Sequence, residues 1–455
     1  MRYYVENFGC RATQADGAAL EEQLGARGLL GASSVETADL VVVNTCTVTA
    51  AADQQARQYI RRVHRKNGAA HMLVTGCYAQ RAPEELAALP GVTWVVGNSH
   101  KPQIPSLVER ARGSAPDFVP LARLTPSAPG ELSLALGPAK ILTGNIFEQR
   151  EVLVAPVFGS GRARAGGGAR TRPTLKIQEG CNNRCAYCVI PFVRGRSRSL
   201  PPDEVIAQAQ RLEAAGYQEL VLSGVDLGSY GLEQRPRTGL RELTERLLDE
   251  TSIPLLRFSS LEPMDLTDEF LALLASTDRI ARHVHAPLQS GSNRILRRMR
   301  RWYTREAYAE RILAAAAALP NLGLGADVMV GFPGETESDF RDTYELIERL
   351  PFTYLHVFGF SSRPGTAAAA MKDEVPAPMM KERSRLLRAL AARKAAAFRA
   401  RQIGNRLRVL TLAATGAEGA RRALSENYLQ VTLSGACPPN ALMRVQVTEV
   451  VGETL

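Results

Sequence analysis

No stretch of this 455-residue chain stays apolar for long enough to cross a bilayer, and its opening, "MRYYVENFGC", holds no apolar signal core. Both absences argue against a membrane or secreted class and predict a cytosolic protein. Acidic residues are in the minority, 46 against 56 Lys and Arg, giving a net charge of +10 and a pI near 9.4. That balance suits a polyanionic partner such as a nucleic acid. Cysteines are few and odd in number, seven in all. In a reducing compartment they read as ligands or catalytic thiols rather than disulfides. What remains is an ordinary globular composition, 45% hydrophobic and 22% charged, long enough for two or three domains.

Residues 1–120 alternate short apolar runs with helical patterns, as a doubly wound parallel α/β sheet does. Its strand-like runs "RYYVENFGC", "DLVVVNTC" and "HMLVTGC" end in Cys10, Cys46 and Cys77. Ligands of such sheets bind at the carboxyl ends of the strands, so three distant thiols are expected to converge on one crevice. Residues 121–170 lose the pattern, and "GSGRARAGGGARTRP" has the composition of a linker. From 171 to about 390 come six further runs: "TLKIQEGC", "ELVLSGVDLG", "LLRFSSLEP", "HVHAPLQSGS", "LGADVMVGFPGE" and "YLHVFGFSSRPGT". Separated by helical patterns, they predict an open (β/α)6 barrel, short of the eight units of a closed one. Working residues belong at the C-terminal ends of such strands, which nominates Asp226, Gln289, Ser290 and Glu335. The stretch Lys381–Arg408 carries ten basic residues and one acidic one. Short alternating runs follow it, so residues 391–455 read as a small β-barrel suited to RNA.

The sequence "EGCNNRCAYCVIPFVRGR" sets Cys181, Cys185 and Cys188 within eight residues, and no further Cys or His occurs before Arg198. A closed structural zinc site wants four protein ligands. A four-iron cluster accepts three thiolates and leaves one iron open to a small molecule with paired nitrogen and oxygen donors. The amino and carboxylate groups of S-adenosylmethionine are such a pair. An electron added to its sulfonium splits a carbon–sulfur bond and releases a carbon radical.

This motif resembles the radical S-adenosylmethionine superfamily, and the likeness extends along nearly the whole chain outside residues 115–170. "NFGCRATQ", "VNTCTVT" and "TGCYAQR" look like the N-terminal domain of the methylthiotransferases. "PLQSGSNRILRRMRRWYTR", "GADVMVGFPGETESDF" and "SSRPGT" look like their radical domain, and "RQIGNRLRVL" onward is similar to their TRAM module. "GCR", "NTCTVT", "TGCYAQR" and "SGVDLGSYG" resemble most the threonylcarbamoyladenosine tRNA methylthiotransferases. The resemblance implies two [4Fe–4S] clusters, a radical-generating one on Cys181, Cys185 and Cys188 and an auxiliary one on Cys10, Cys46 and Cys77. Cys437 is left over as structural. The resemblance further implies S-adenosylmethionine as cofactor beside Asp226, Gln289 and Ser290, an external electron donor, a sulfur source, and tRNA as substrate. RNA contacts are expected from Arg194, Arg196, Arg393, Lys394, Arg399 and Arg401, and from the run Arg294, Arg297, Arg298, Arg300, Arg301 and Arg305. Ala12 and Thr13 depart from the valine and asparagine usual beside Cys10. Rival readings are methylthiolation of isopentenyladenosine tRNA or of a ribosomal protein side chain, and a non-catalytic iron–sulfur RNA-binding protein.

Overall fold

The computed structural model describes residues 1–113, 124–128, 131–134, 139–153, 171–415, 420–435 and 437–455. They fall into two compact units: residues 1–153 with Val189–Arg196, and residues 171–188 with 197–455. No helix among the described residues is long and apolar enough to cross a membrane.

The first unit is a parallel sheet of β1 (Arg2–Asn7), β2 (Leu30–Gly31), β3 (Leu40–Thr45), β4 (His71–Gly76), β5 (Val92–Gly97) and β6 (Lys140–Leu142), in the order β2-β1-β3-β4-β5-β6. Strand β3 reads Leu-Val-Val-Val because both faces are covered. Val41 and Val43 enter one apolar cluster with Ile60 and Val63, while Leu40 and Val42 enter another with Leu20 and Leu24. Helices α1 (Arg11–Ala26) and α2 (Ala50–Lys66) supply those partners. The expected linker is not featureless, since β6 lies within it and adds a parallel edge strand beside β5. Its glycine- and arginine-rich part, 154–170, lies outside the described residues. The boundary expected at 171 also missed that Val189–Arg196, far along the chain, packs into this unit.

All six expected strands occur in the second unit: β7 (Thr174–Lys176), β8 (Glu219–Ser223), β9 (Leu255–Phe258), β10 (His283–His285), β11 (Gly323–Val330) and β12 (Tyr354–Gly359). They are parallel and neighbour one another in chain order, β7-β8-β9 and β10-β11-β12. Bridges between Leu256 and Ile280 and between Ser260 and His285 join the two halves. No pairing of β7 with β12 occurs among the described residues, as an open barrel requires.

The chain ends in four antiparallel strands, β13 (Arg406–Thr415), β14 (Arg421–Ser425), β15 (Gln430–Leu433) and β16 (Leu442–Gln446), ordered β15-β14-β13-β16. Leu455 exchanges backbone hydrogen bonds with Gln430 and Thr432, which brings the segment after β16 to the opposite edge. The sheet thereby curls towards the expected small barrel. Its β14–β15 turn packs against the larger barrel where β10 and β11 begin. Arg257 donates to the carbonyls of Ser425 and Glu426, both at 3.1 Å, and Tyr428 stacks on His283 at 4.3 Å. Gly323 is required there, because a Cβ would sit 2.1 Å from the Asn427 carbonyl oxygen.

Candidate cluster sites

Cys10 caps α1, Cys46 follows β3, and Cys77 opens the short helix α3 (Cys77–Arg81) after β4. Because β1, β3 and β4 are adjacent, the three thiols meet at one edge of the sheet. Two glycines make the approach possible. A Cβ on Gly9, at φ +100°, would lie 2.5 Å from the Cys46 Cβ, and one on Gly76, at φ +101°, 2.3 Å from the Thr45 carbonyl. Burial, reinforced by the Cys77 thiol, pushes the Cys46 thiol up to about 12. A thiol held protonated so firmly is inert until a metal displaces its proton.

Arg194 stands over this trio. Its Nε donates to Cys77 Sγ at 3.2 Å, and its Nη2 to Thr13 Oγ1 at 3.1 Å and Asp16 Oδ2 at 3.2 Å. Asp16 is also bound by Lys101 Nζ at 2.9 Å. With 2% of its surface exposed, Arg194 cannot reach a phosphate, which corrects its expected role in RNA contact. The departure at Thr13 gains a reason as well, because its hydroxyl receives this arginine and lies 3.6 Å from Cys10 Sγ.

In the second unit, Gln178 ties the loop of Cys181 to the end of β8. Its Oε1 accepts from the backbone N–H of Val225 and Asp226, both at 2.8 Å, while its Nε2 donates to the Gly180 carbonyl at 2.8 Å. Cys181 Sγ consequently lies 3.4 Å from Asp226 Oδ2, which also accepts from Asn183 Nδ2 at 3.0 Å. Burial raises both the Cys181 thiol and the Asp226 carboxyl. Arg301 Nη1 donates to Cys185 Sγ at 3.4 Å, Nη2 pairs with Glu262, and the guanidinium lies against Trp302 and Tyr303.

Arg301 is therefore a partner of the thiol loop. Its neighbours in the basic run are engaged too: Arg294 with Asp339, Arg298 with Asp373, and Arg305 with Asp342. Carboxylates from elsewhere in the fold thus pair with four of the six arginines of the run, while Arg297 and Arg300 are exposed. Gln289, at φ +65°, keeps its Oε1 buried without a hydrogen-bond partner, as a waiting ligand contact would. Ser290 differs from expectation. It is fully buried, 3.3 Å from Thr343 Oγ1 and accepting from the Ser292 N–H, so it shapes the loop. Glu335 is likewise committed, to Arg383 on helix α4 (Ala377–Ala400). Arg196 is exposed. On α4, Arg393 pairs with Glu348, Lys394 donates to the Glu348 carbonyl and Arg399 is half-buried, and just past its end Arg401 lies over Phe398. Cys437 packs against the C-terminal sheet, and none of the seven cysteines is in a disulfide.

Among the described residues, the donors drawn close enough to share a single ion are His285, Asp327 and His356, not either cysteine trio. Six thiols in two wider trios suit polynuclear clusters better than two zinc ions.

A model of the Radical SAM superfamily matches residues 175–347, and one described as uncharacterized protein family UPF0004 matches residues 2–97. The chain is 37% identical to the threonylcarbamoyladenosine tRNA methylthiotransferase MtaB of Bacillus subtilis, over 94% of this chain and 89% of that protein. It is 36% identical to MtaB of Aquifex aeolicus, over 98% of this chain and the whole of that one. The chain belongs to the radical SAM methylthiotransferases. A tRNA-2-methylthio-N(6)-dimethylallyladenosine synthase from Acidothermus cellulolyticus is 32% identical over 98% of this chain and 83% of that one. Among solved structures, the radical S-adenosylmethionine methyltransferase TsrM of Kitasatospora setae superposes with a TM-score of 0.56 at 17% identity, over 81% of this chain and 76% of that one. That likeness shows the fold.

Reading the sequence as a methylthiotransferase located both cysteine trios but missed Gln178, Arg301, Asp16 and Lys101. Only Arg301 carried a visible signal, as part of "RRMRR", and its surroundings there pointed to RNA.

Proposed function

We propose that the protein adds a methylthio group at C2 of N6-threonylcarbamoyladenosine, at tRNA position 37 beside the anticodon, in the cytoplasm. The observation that carries this reading is the identity of 36–37% to two MtaB proteins over nearly the full chain, which exceeds the 32% to the dimethylallyladenosine enzyme. The net charge of +10 supports a polyanionic substrate.

In this reading Cys181, Cys185 and Cys188 hold the radical-generating [4Fe–4S] cluster, and Cys10, Cys46 and Cys77 hold the auxiliary one. When bound with S-adenosylmethionine, the first cluster supplies a carbon radical able to activate an aromatic C–H bond that acid–base catalysis leaves inert. The residues around it prepare the place. Gln178 fixes the thiol loop to Asp226, Arg301 offsets the negative charge of a thiolate at Cys185, and the unsatisfied Oε1 of Gln289 is available to a donor on the cofactor. Arg194 offers the same N–H donation to Cys77. Sulfur and electrons come from external donors.

The test gives anaerobically reconstituted protein two tRNAs, one carrying threonylcarbamoyladenosine and the other isopentenyladenosine, with nucleosides read by mass spectrometry. Product from the first is expected. Turnover of the second alone would defeat the substrate while leaving the chemistry in place.

A further inference from the structure

We propose that His285, Asp327 and His356, on the three adjacent strands β10, β11 and β12, form a binding site for one divalent transition-metal ion separate from both cysteine trios. The parallel register creates the site. His285 is opposite Gly325, Gly325 is opposite Tyr354, and Asp327 is opposite His356, so all these residues occupy one face of the sheet.

The donor atoms are already at ligand spacing. Asp327 Oδ1 lies 3.2 Å from His285 Nε2 and 3.1 Å from His356 Nδ1, and the three atoms lie within 4.8 Å of one another. A tetrahedral zinc ion with bonds of about 2.0–2.1 Å separates its ligand atoms by about 3.3 Å. Two imidazoles and one carboxylate are the donor set of open zinc and non-haem iron sites, which leave further coordination positions for water or an anionic group.

The surroundings are built in the same sense. His285 Nδ1 lies 3.0 Å from Tyr354 Oη, and the same hydroxyl is 2.8 Å from His283 Nε2. A Cβ at position 325 would lie 2.0 Å from the Tyr354 ring, so the glycine makes room for this contact. The hydroxyl has one proton to give. If it goes to His283, a neutral His285 donates from Nδ1 and turns the lone pair of Nε2 towards the Asp327 carboxylate 3.2 Å away, where either a proton on Nε2 or a bound cation joins the two. Such orientation of a ligating histidine through its other nitrogen typically changes metal affinity 10–100-fold (roughly) when removed. Asp327 is partly exposed and His356 is 64% exposed, so an ion can enter.

The experiment equilibrates the protein, with its clusters reconstituted anaerobically, against a chelator-buffered series of Zn2+ concentrations. Zinc and iron are counted together by mass spectrometry. One zinc per chain is expected in the wild type, lost in His356→Ala and in Asp327→Asn without loss of iron. Tyr354→Phe should keep the zinc but weaken it by at least about tenfold. Because His356 lies at the surface, its truncation leaves the fold intact, and undiminished iron reports that. No zinc in an iron-replete wild type, or equal zinc in His356→Ala and Asp327→Asn, overturns the proposal and leaves a hydrogen-bonded triad only. The readout is metal content, so it stands or falls independently of which adenosine is modified.

Discussion

Replacing Arg194 by Met tests whether the first unit is built around its thiols. The guanidinium is 2% exposed and bonds to Asp16, Thr13 and Cys77. Removing one partner of a buried ion pair ordinarily costs about 3–5 kcal/mol, because the other charge is stranded. Here Asp16 keeps Lys101 at 2.9 Å, so no carboxylate is stranded. Lys101, whose pKa burial lowers despite Asp16, also loses the repulsion of a neighbouring cation. The expected loss falls to about 2 kcal/mol, the worth of the hydrogen bonds to charged groups. For a unit of this size that is roughly 4–8 °C in melting temperature.

The same substitution has a second, independent consequence. An N–H donated to a ligand thiolate stabilises the more negative, reduced form of a cluster. If that bond is stronger in the reduced state by about 1.4 kcal/mol, losing it moves the midpoint about 60 mV more negative for one electron. The assay is a potentiometric titration followed by electron paramagnetic resonance, with the cluster on Cys181, Cys185 and Cys188 as internal reference. The N-terminal signal should shift and the reference should not. A merely structural role predicts lower melting with both midpoints unmoved, and that result would refute the argument. Arg194→Lys should recover part of the stability but little of the potential, since a lysine cannot span the three acceptors.

Changing Cys181, Cys185 and Cys188 together to Ala should halve an iron content of about eight per chain and abolish cleavage of S-adenosylmethionine, whereas Ala at Cys10, Cys46 and Cys77 should halve iron but leave that cleavage measurable. Loss of all iron in either variant would undo the two-site assignment. Gly323→Ala should destabilise by about 1–3 kcal/mol in thermal unfolding, against the usual small gain of Gly→Ala, because its Cβ meets the Asn427 carbonyl; a gain would mean that the turn does not pack there. Burial, then Asp226 and Glu262, raise the Asp265 carboxyl to about 7, so its neutral form favours the folded state fully below about pH 4, and this support is lost as pH rises through 7. Asp265→Asn should therefore gain on the wild type between pH 5 and 9 by at most about 3 kcal/mol in denaturant titrations without S-adenosylmethionine; a pH-independent difference would contradict this. Reversing charge at Arg393, Lys394 and Arg401 should raise the apparent Michaelis constant for tRNA and flatten its salt dependence by about 0.9 per lost phosphate contact, and an unchanged slope would put the RNA elsewhere.

What the sequence made legible depended on whether a residue's neighbours were implied by a repeating pattern. Cys10, Cys46 and Cys77 could be brought together on paper because parallel strands with two-sided burial announce themselves as apolar runs, and their carboxyl ends then share an edge. The six barrel strands were legible for the same reason. Arg194 and Arg301 were not, since charge alone does not say whether an arginine will find a phosphate or a buried carboxylate. Arg194 meets Asp16 across 178 residues, and Arg301 meets Glu262 across 39. Each partner follows a different strand, and no local spacing encodes such a pairing. The histidine–aspartate–histidine cluster was hidden more deeply still. Asp327 and His356 each sit as a lone polar residue in an apolar strand run, and His285 alternates with His283 around Val284, patterns that ordinarily mark one face of a sheet. They become a donor set only once the register of β10, β11 and β12 is fixed, and the glycines at 323 and 325 on β11 leave the room that Asn427 and Tyr354 occupy. Glycine in a strand is therefore the more informative letter in this chain: it marks where another part of the fold, or a ligand, must come close.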